Sequence, residues 1–343
     1  MLQSGNTIFE LGKDIDPDIP TLQANKITDL ENTELMAGKQ VLQINDELPA
    51  SSMLAVARAI HQYPHLQLRF YAAANISQID WPAFAHVRHL SIGGNAGNWT
   101  SLNFLEQLPL LETLIIHAPL KCKTSLLPLQ KLQQLKRLNL INIQQDLDKI
   151  VWANGLDTLG LTVGELKNSG LLTNIPFIKN LCLNFTQLAD YKVLAHITGL
   201  QVLSLIGLKG FSQQHAAELQ HIPALQLLEI SRCPKITDIA FTADLQALKK
   251  LRLANIKVAS FAPLTGHPAL QVISTDTVQP DNTALTGVYH IPHVYLSGRF
   301  PAEEITRFQS GFTGQDAVIG GALLKGTLKE NNFIYHIHQV TAL

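Results

Sequence analysis

Large aliphatic residues recur along this chain in a compound rhythm. The clearest unit is L-x-x-L-x-L, read as Leu111-Glu112-Thr113-Leu114-Ile115-Ile116. It returns at 135–140, 156–161, 178–183, 200–205, 225–230 and 248–253, with weaker copies at 87–92, 270–275 and 291–296. With its second large residue as marker, the series is Leu68, Leu90, Leu114, Leu138, Leu159, Leu181, Leu203, Leu228, Leu251, Ile273 and Val294, spaced by 21 to 25 residues. Leu42 fits as a further copy. Upstream of each marker the apolar positions step back in threes, as in Leu105, Leu108, Leu111, Leu114 and then Ile116, or Leu194, Ile197, Leu200, Leu203 and then Leu205. Period three belongs to a 3₁₀-like or irregular helical stretch, and the terminal L-x-L to a strand with one buried face. Neither half can bury its apolar side alone, so stacked copies must pair their strands in parallel and share one aliphatic core.

These residues carry a family resemblance. The chain resembles leucine-rich-repeat proteins, nearest the 22-residue subclass of phosphatase-regulator and internalin repeats. The second half of that repeat is matched by Ile256 to Leu264, by Ser125-Leu126-Leu127-Pro128-Leu129 and by Ile236-Thr237-Asp238-Ile239. The resemblance covers about 40–300 and implies an α/β solenoid, a curved horseshoe. Short parallel strands are expected on its concave face, with 3₁₀ and short helices and turns on its convex face. Family members carry Asn three residues after the last strand leucine, where its amide bonds neighbouring loops. Asn95 fits that site and Cys233 substitutes for it, but Pro119, Ile143, Gly164, Thr186, Leu208, Ile256 and Val278 stand there in other units. An irregular member with most of the ladder missing is expected.

The ends depart from the rhythm. Residues 1–65 read as an N-terminal cap merging into the first repeat, 66–298 as the repeats and 299–343 as a C-terminal cap. In the first segment Ser51 and Ser52 are placed to cap a helix running to about Gln62, with Met53, Leu54, Val56, Ala57 and Ile60 as its apolar side. In the last, 301–309 suits a short helix, and 322–328 with 333–339 a hairpin turning at Lys329-Glu330-Asn331-Asn332.

Composition agrees with a thin, repeated aliphatic core. Of 343 residues 56 are leucine, while aromatics are 6% and charged residues 15%. A formal net charge of -1 gives no electrostatic reason to bind a polyanion, so nucleic acid is not expected as a partner. No apolar run approaches 18 residues, so no membrane span is expected. The first ten residues lack a basic start followed by an apolar stretch, so no secretory leader is expected and the cytoplasm is the expected compartment. Cys122, Cys182 and Cys233 are odd in number and widely spaced, which matches free thiols in a reducing compartment and neither a zinc pair nor a disulfide framework.

Catalytic motifs are missing: no phosphate-binding glycine loop, nucleophile elbow or zinc-protease helix occurs. The glycine run 93–97 reads as a repeat turn. Asp14, Asp16 and Asp18 open like a calcium loop, but Ile19 stands where such a loop needs glycine and Asn25 where it needs glutamate. His336 and His338 share a strand face without a third ligand in view. No cofactor, no metal and no enzymatic activity are expected.

In L-x-L the middle residue points away from the core. The outward central column is therefore Arg69, Ser91, Ile115, Asn139, Gly160, Cys182, Ser204, Glu229, Arg252, Ser274 and Tyr295. Two apolar groups stand out on the outward face, Ile115 with Ile141, and Val202 with Ile206 and Leu227, flanked by Arg137, Glu229, Lys250 and Arg252. Apolar groups framed by charge have the character of a protein-docking surface. The expected function is a protein-interaction module that binds a protein partner on the concave face in an inhibitor, immunity, adaptor or effector-like role. The alternatives are a carbohydrate- or surface-binding protein exported without a recognisable signal, and an enzyme with its site in the C-terminal region.

Overall fold

A computed structural model describes residues 8–11, 26–71, 76–93, 100–152, 155–175, 177–276, 279–280 and 285–326. The Asp14 to Asp18 loop, most of the 93–97 glycine run and the His336/His338 strand lie outside them. The chain forms two compact units, Met1–Thr158 and Leu159–Leu343.

Among its described residues the first unit contains six strands, β1 (Ile8–Leu11), β2 (Val41–Ile44), β3 (Gln67–Phe70), β4 (His89–Ile92), β5 (Thr113–His117) and β6 (Arg137–Ile141). They hydrogen-bond in chain order, and every pair is parallel. Register places Leu42, Leu68, Leu90, Leu114 and Leu138 side by side, and all five are fully buried. The marker leucines of the sequence are thus one column of the core. Return segments run through 3₁₀ turns at Trp81–Phe84, Asn103–Gln107 and Leu127–Lys131. With three residues per turn, Leu102, Leu105, Leu108 and Leu111 fall on one side and are all buried.

A short helix, α1 (Thr33–Ala37), precedes β2, and the connection from β2 to β3 holds a longer one, α2 (Ala50–Gln62). Asn32 caps α1, its side-chain oxygen accepting the Leu35 N–H at 3.0 Å. At α2 the N-cap is Pro49, and Ser51 and Ser52 lie within the first turn instead of capping it. Val56, Ala57, Ala59 and Ile60 form the buried face, but Leu54 faces solvent, 50% exposed. Beneath the helix an aromatic group closes the core. Trp81 stacks on Phe104 at 4.2 Å, meets Phe70 edge-on at 5.7 Å and donates its indole N–H to the Ile76 carbonyl at 3.1 Å.

The second unit takes up β7 (Thr158–Thr162), then β8 (Asn180–Asn184), β9 (Val202–Ile206), β10 (Leu227–Ser231), β11 (Lys250–Ala254), β12 (Val272–Asp276), β13 (His293–Leu296), β14 (Asp316–Ile319) and β15 (Ala322–Lys325). From β8 to β14 each pair is parallel. Leu181, Leu203, Leu228, Leu251, Ile273 and Val294 stand in one fully buried row. The return segments are again 3₁₀, as at Tyr191–His196 and Ala240–Asp244, with one short helix, α3 (Gln213–Ala217). Two further parallel ladders of two residues each, Glu165–Leu166 with Gln187–Leu188 and Lys257–Val258 with Gln279–Pro280, form in the turns after the strands. Two residues are too few to register a period, so nothing in the hydrophobic pattern announces them.

The turns leaving β8, β9, β10 and β11 are each built on a left-handed residue. Phe185, Gly207, Arg232 and Asn255 have φ of 48°, 68°, 51° and 51°. Each donates its N–H to the last carbonyl of the following strand, at 2.7 Å to Ile206, 2.8 Å to Ser231, 2.9 Å to Ala254 and 2.8 Å to Asp276. Three of the four are not glycine, and each accepts a strain of about 1–2 kcal/mol to make that bond. The main chain therefore carries much of the inter-unit ladder that asparagine side chains carry in regular repeats.

Side chains add to it. The buried Thr186 hydroxyl donates to the Leu161 carbonyl at 2.8 Å, with Asn184 O at 3.1 Å, and accepts the Val163 N–H at 3.0 Å. Cys233 Sγ lies 3.5 Å from the Leu205 carbonyl and 3.3 Å from that of Ser231. The ladder expected to lapse at Thr186 is thus made there by a hydroxyl, while Asn95 lies outside the described residues. Removing that hydroxyl strands a buried donor and a buried acceptor in an otherwise isosteric side chain. Thr186→Val is expected to lower stability by about 1–3 kcal/mol and Thr186→Ser by much less, read as the shift in urea midpoint. Equal losses for the two would show that the hydroxyl bonds nothing of consequence.

The C-terminal segment opens with α4 (Ala302–Gly311), on the stretch expected to be helical. Its buried Glu304 accepts the Leu285 N–H at 2.8 Å, and Phe308 stacks on Phe312 at 4.8 Å. The strand expected over 322–328 forms as β15 and pairs antiparallel with β14, while its expected partner 333–339 lies outside the described residues. Gly320 and Gly321, with φ of 59° and 82°, make the two-residue turn that joins them. Two successive positive-φ glycines form the tight hairpin turn that matches strand twist.

Candidate binding surface

Strand register aligns the outward residues as the sequence pattern requires. In the first unit Thr113, Ile115 and His117 of β5 face Arg137, Asn139 and Ile141 of β6. Ile115 and Ile141 are therefore diagonal neighbours on one face, each half-buried, with Arg137 exposed beside them. Arg137 Nε donates to Thr113 Oγ1 at 3.1 Å, and the same hydroxyl lies 3.1 Å from His89 Nδ1. Burial, aided by the Arg137 charge, holds the His89 imidazole below its usual pKa. Burial first, and then Arg69, does the same to His117. Both rings favour the neutral form near pH 7.

In the second unit Val202 faces Leu227, which faces Lys250. Val202, Ile206 and Lys250 are half-buried, but Leu227 is only 4% exposed, so it forms the floor of this patch and not its rim. Glu229 is likewise buried, at 4%. Its Oε2 accepts the Ser204 hydroxyl at 2.7 Å, and its Oε1 lies 3.0 Å from Arg252 Nε in an ion pair whose alignment falls short of a hydrogen bond. Cys182, Ser204, Glu229 and Arg252 occupy one register column of four adjacent strands, a polar line sunk into the sheet face. Glu229 and Arg252, read from the sequence as flanking charges, are satisfied largely by each other.

Farther along the same unit, Arg252, Ser274, Asp276 and Tyr295 border an open cavity of about 440 Å³. At the strand starts His293 Nδ1 lies 2.8 Å from Asp316 Oδ2. Burial raises the Cys182 and Cys233 thiols to about 11, so neither is a thiolate nucleophile near pH 7. Among the described residues no group of three or more His, Cys, Asp and Glu could hold a metal ion, and no helix is long and apolar enough to cross a membrane.

Neither a protein-family model nor any curated protein matches the chain by sequence. Solved structures do match it. A leucine-rich-repeat protein of Leptospira interrogans aligns with 18% identity over 83% of this chain and 79% of its own, at a TM-score of 0.50. The fold is that of a leucine-rich-repeat protein. TLR13, solved in the TLR13–ssRNA13 complex, aligns with 17% identity over 82% of this chain, also at a TM-score of 0.50. This leucine-rich-repeat chain spans 44% of that protein's length. An internalin of Listeria monocytogenes aligns with 14% identity over 81% of this chain and 91% of its own, at a TM-score of 0.49.

In each unit one side of the strands closes on the aliphatic core. The signal that assigns direction is the alternation itself, and register aligns its central column from Arg69 to Asn139 in the first unit and from Cys182 to Tyr295 in the second. The signal for depth is different. A residue such as Glu229 sinks only because Ser204 is small on one side and Arg252 folds over it on the other, a fact that needs three strands at once.

Proposed function

We propose that this leucine-rich-repeat chain is a protein-interaction module whose partner docks on the outward face of the strands, in an inhibitor, immunity, adaptor or effector-like role. The observation that carries this reading is a pair of half-buried aliphatic side chains at the two ends of β9, Val202 beside the buried Leu227 and next in line to Lys250, and Ile206 beside Ser231. Apolar groups seated among polar neighbours are where binding energy concentrates, whereas isolated exposed leucines elsewhere on the surface need no partner. Ile115, Ile141 and Arg137 offer a comparable patch in the first unit. The high thiol pKa values and the lack of converging metal ligands favour binding over catalysis as the role of the described residues.

The test is capture from a lysate of the native cell on immobilised protein, read by mass spectrometry, with Ile206→Asp in parallel. Ile206 is half-buried at the strand end, so the variant is expected to fold while placing a charge in the patch. A protein held by the wild type is expected to fall at least about tenfold on the variant, consistent with loss of a hot-spot residue. Equal retention by a folded variant removes the partner from this face.

A further inference from the structure

The open cavity of about 440 Å³ in the second unit falls within the ~300–1,000 Å³ range of ligand pockets. Register sets Arg252, Ser274, Tyr295 and Val318 side by side on β11 to β14, with Asp276 and Ser297 two residues further along their own chains, and all six line the cavity. One wall is apolar, because Tyr295 and Val318 belong with Val272 to a buried cluster. The other is polar and mixed. Arg252 can only donate, the Asp276 carboxylate can only accept, and the two serine hydroxyls do both. Ser274 is 7% exposed, yet its hydroxyl bonds nothing among the described residues, and the little surface it keeps borders the cavity. The side chains of Asp276 and Ser297 likewise bond nothing among the described residues. A nearly buried hydroxyl without a protein partner is a group that a ligand can satisfy.

We infer that this cavity binds a neutral sugar ring, a pyranose. The inference goes beyond the protein-docking reading and does not rest on it. Charge decides against other small ligands. Arg252 is already paired with the buried Glu229, so a carboxylate or phosphate brought to the guanidinium meets that anion first and Asp276 second. A simple cation drawn by Asp276 meets Arg252 instead. A ligand without charge avoids both conflicts, but it must donate and accept over a few neighbouring atoms. The vicinal hydroxyls of a pyranose do so, and suit a guanidinium, a carboxylate and two serines that share one cavity. The C–H face of the same ring suits the apolar wall of Tyr295 and Val318.

The probes are the methyl α-glycosides of glucose, galactose and mannose, which between them present cis and trans pairs of neighbouring hydroxyls. Each is titrated at millimolar concentration against the full chain by isothermal titration calorimetry, beside glycine, acetate and ethylammonium. At least one glycoside is expected to bind more tightly than every charged control. Its affinity is expected to change less than about twofold as salt rises, since the ligand brings no charge to be screened. Ser274→Ala is expected to weaken that glycoside about fivefold and Asp276→Ala at least about tenfold, the larger loss belonging to the charged acceptor. Neither substitution strips a described group of its side-chain partner, so both variants are expected to keep the parent's circular dichroism and urea midpoint. No binding of any glycoside, tighter binding of a charged control, or glycoside binding unchanged by both substitutions overturns the proposal. Ile206 does not line the cavity, so Ile206→Asp is expected to bind the glycoside as the parent does. Loss of protein capture by that variant leaves the sugar site untouched, and the two readings can fail separately.

Discussion

Glu229→Ala is expected to destabilise the protein by about 3–5 kcal/mol, among the largest losses for any polar residue in the chain. The reason is position. Glu229 lies on a sheet face yet is 4% exposed, and it is the counter-charge of Arg252, whose side chain is itself only 14% exposed. Removing the carboxylate leaves a guanidinium with little water and no anion, and deprives the fully buried Ser204 hydroxyl of its acceptor. The paired charge is not in itself a large net gain, because taking both ions out of water offsets most of their attraction. The double variant Glu229→Met/Arg252→Met is therefore expected to recover to within about 1 kcal/mol of the parent. Urea midpoints of the two single variants and the double variant close the cycle. A double variant as unstable as Glu229→Ala alone would show that packing, not an uncompensated charge, sets the loss.

The second large effect is expected at Gly287. This residue lies in the 3₁₀ turn Thr286–Val288, packed on the turn of the preceding repeat. A Cβ built there would stand 2.0 Å from the Phe261 carbonyl oxygen and 2.4 Å from its carbon. Both atoms are backbone, so no side chain can swing aside. Gly287→Ala is expected to cost about 3 kcal/mol or more, the upper end for overpacking. Gly266 supplies the contrast. Its φ is 69° but nothing lies within 4 Å of a Cβ there, so Gly266→Ala bears only the left-handed penalty of about 1–2 kcal/mol. Thermal or urea unfolding of the two variants ranks them, and a Gly287 variant no worse than the Gly266 variant would mean that neighbouring turns can part without loss.

That contrast marks where the sequence is legible. Leu203, Leu228 and Leu251 announce their column because leucine at fixed spacing has one physical use, and the strands fall where they predict. The 3₁₀ character of the return path is legible for the same reason, in the steps of three from Leu194 to Leu203. Gly287 and Gly266 are indistinguishable as letters, since one is demanded by an approaching backbone and the other by its own dihedral. Thr186 was read as a gap in the ladder because its hydroxyl replaces an amide only once Leu161 and Val163 are in place. Leu227 and Glu229 were read as presented to a partner because alternation gives direction but not depth.

The reversal at Gly320 and Gly321 has a consequence for how the molecule behaves at high concentration. A stack of parallel repeats can, by its geometry, accept another unit of the same kind at its end, and by repetition grow into a fibre. In β15, the last of the described strands, the chain direction is inverted, and Lys325 reaches back to the Gly314 carbonyl at 2.7 Å. Among the described strands, the parallel sense of the array therefore ends at this hairpin, a change of direction written in two glycines.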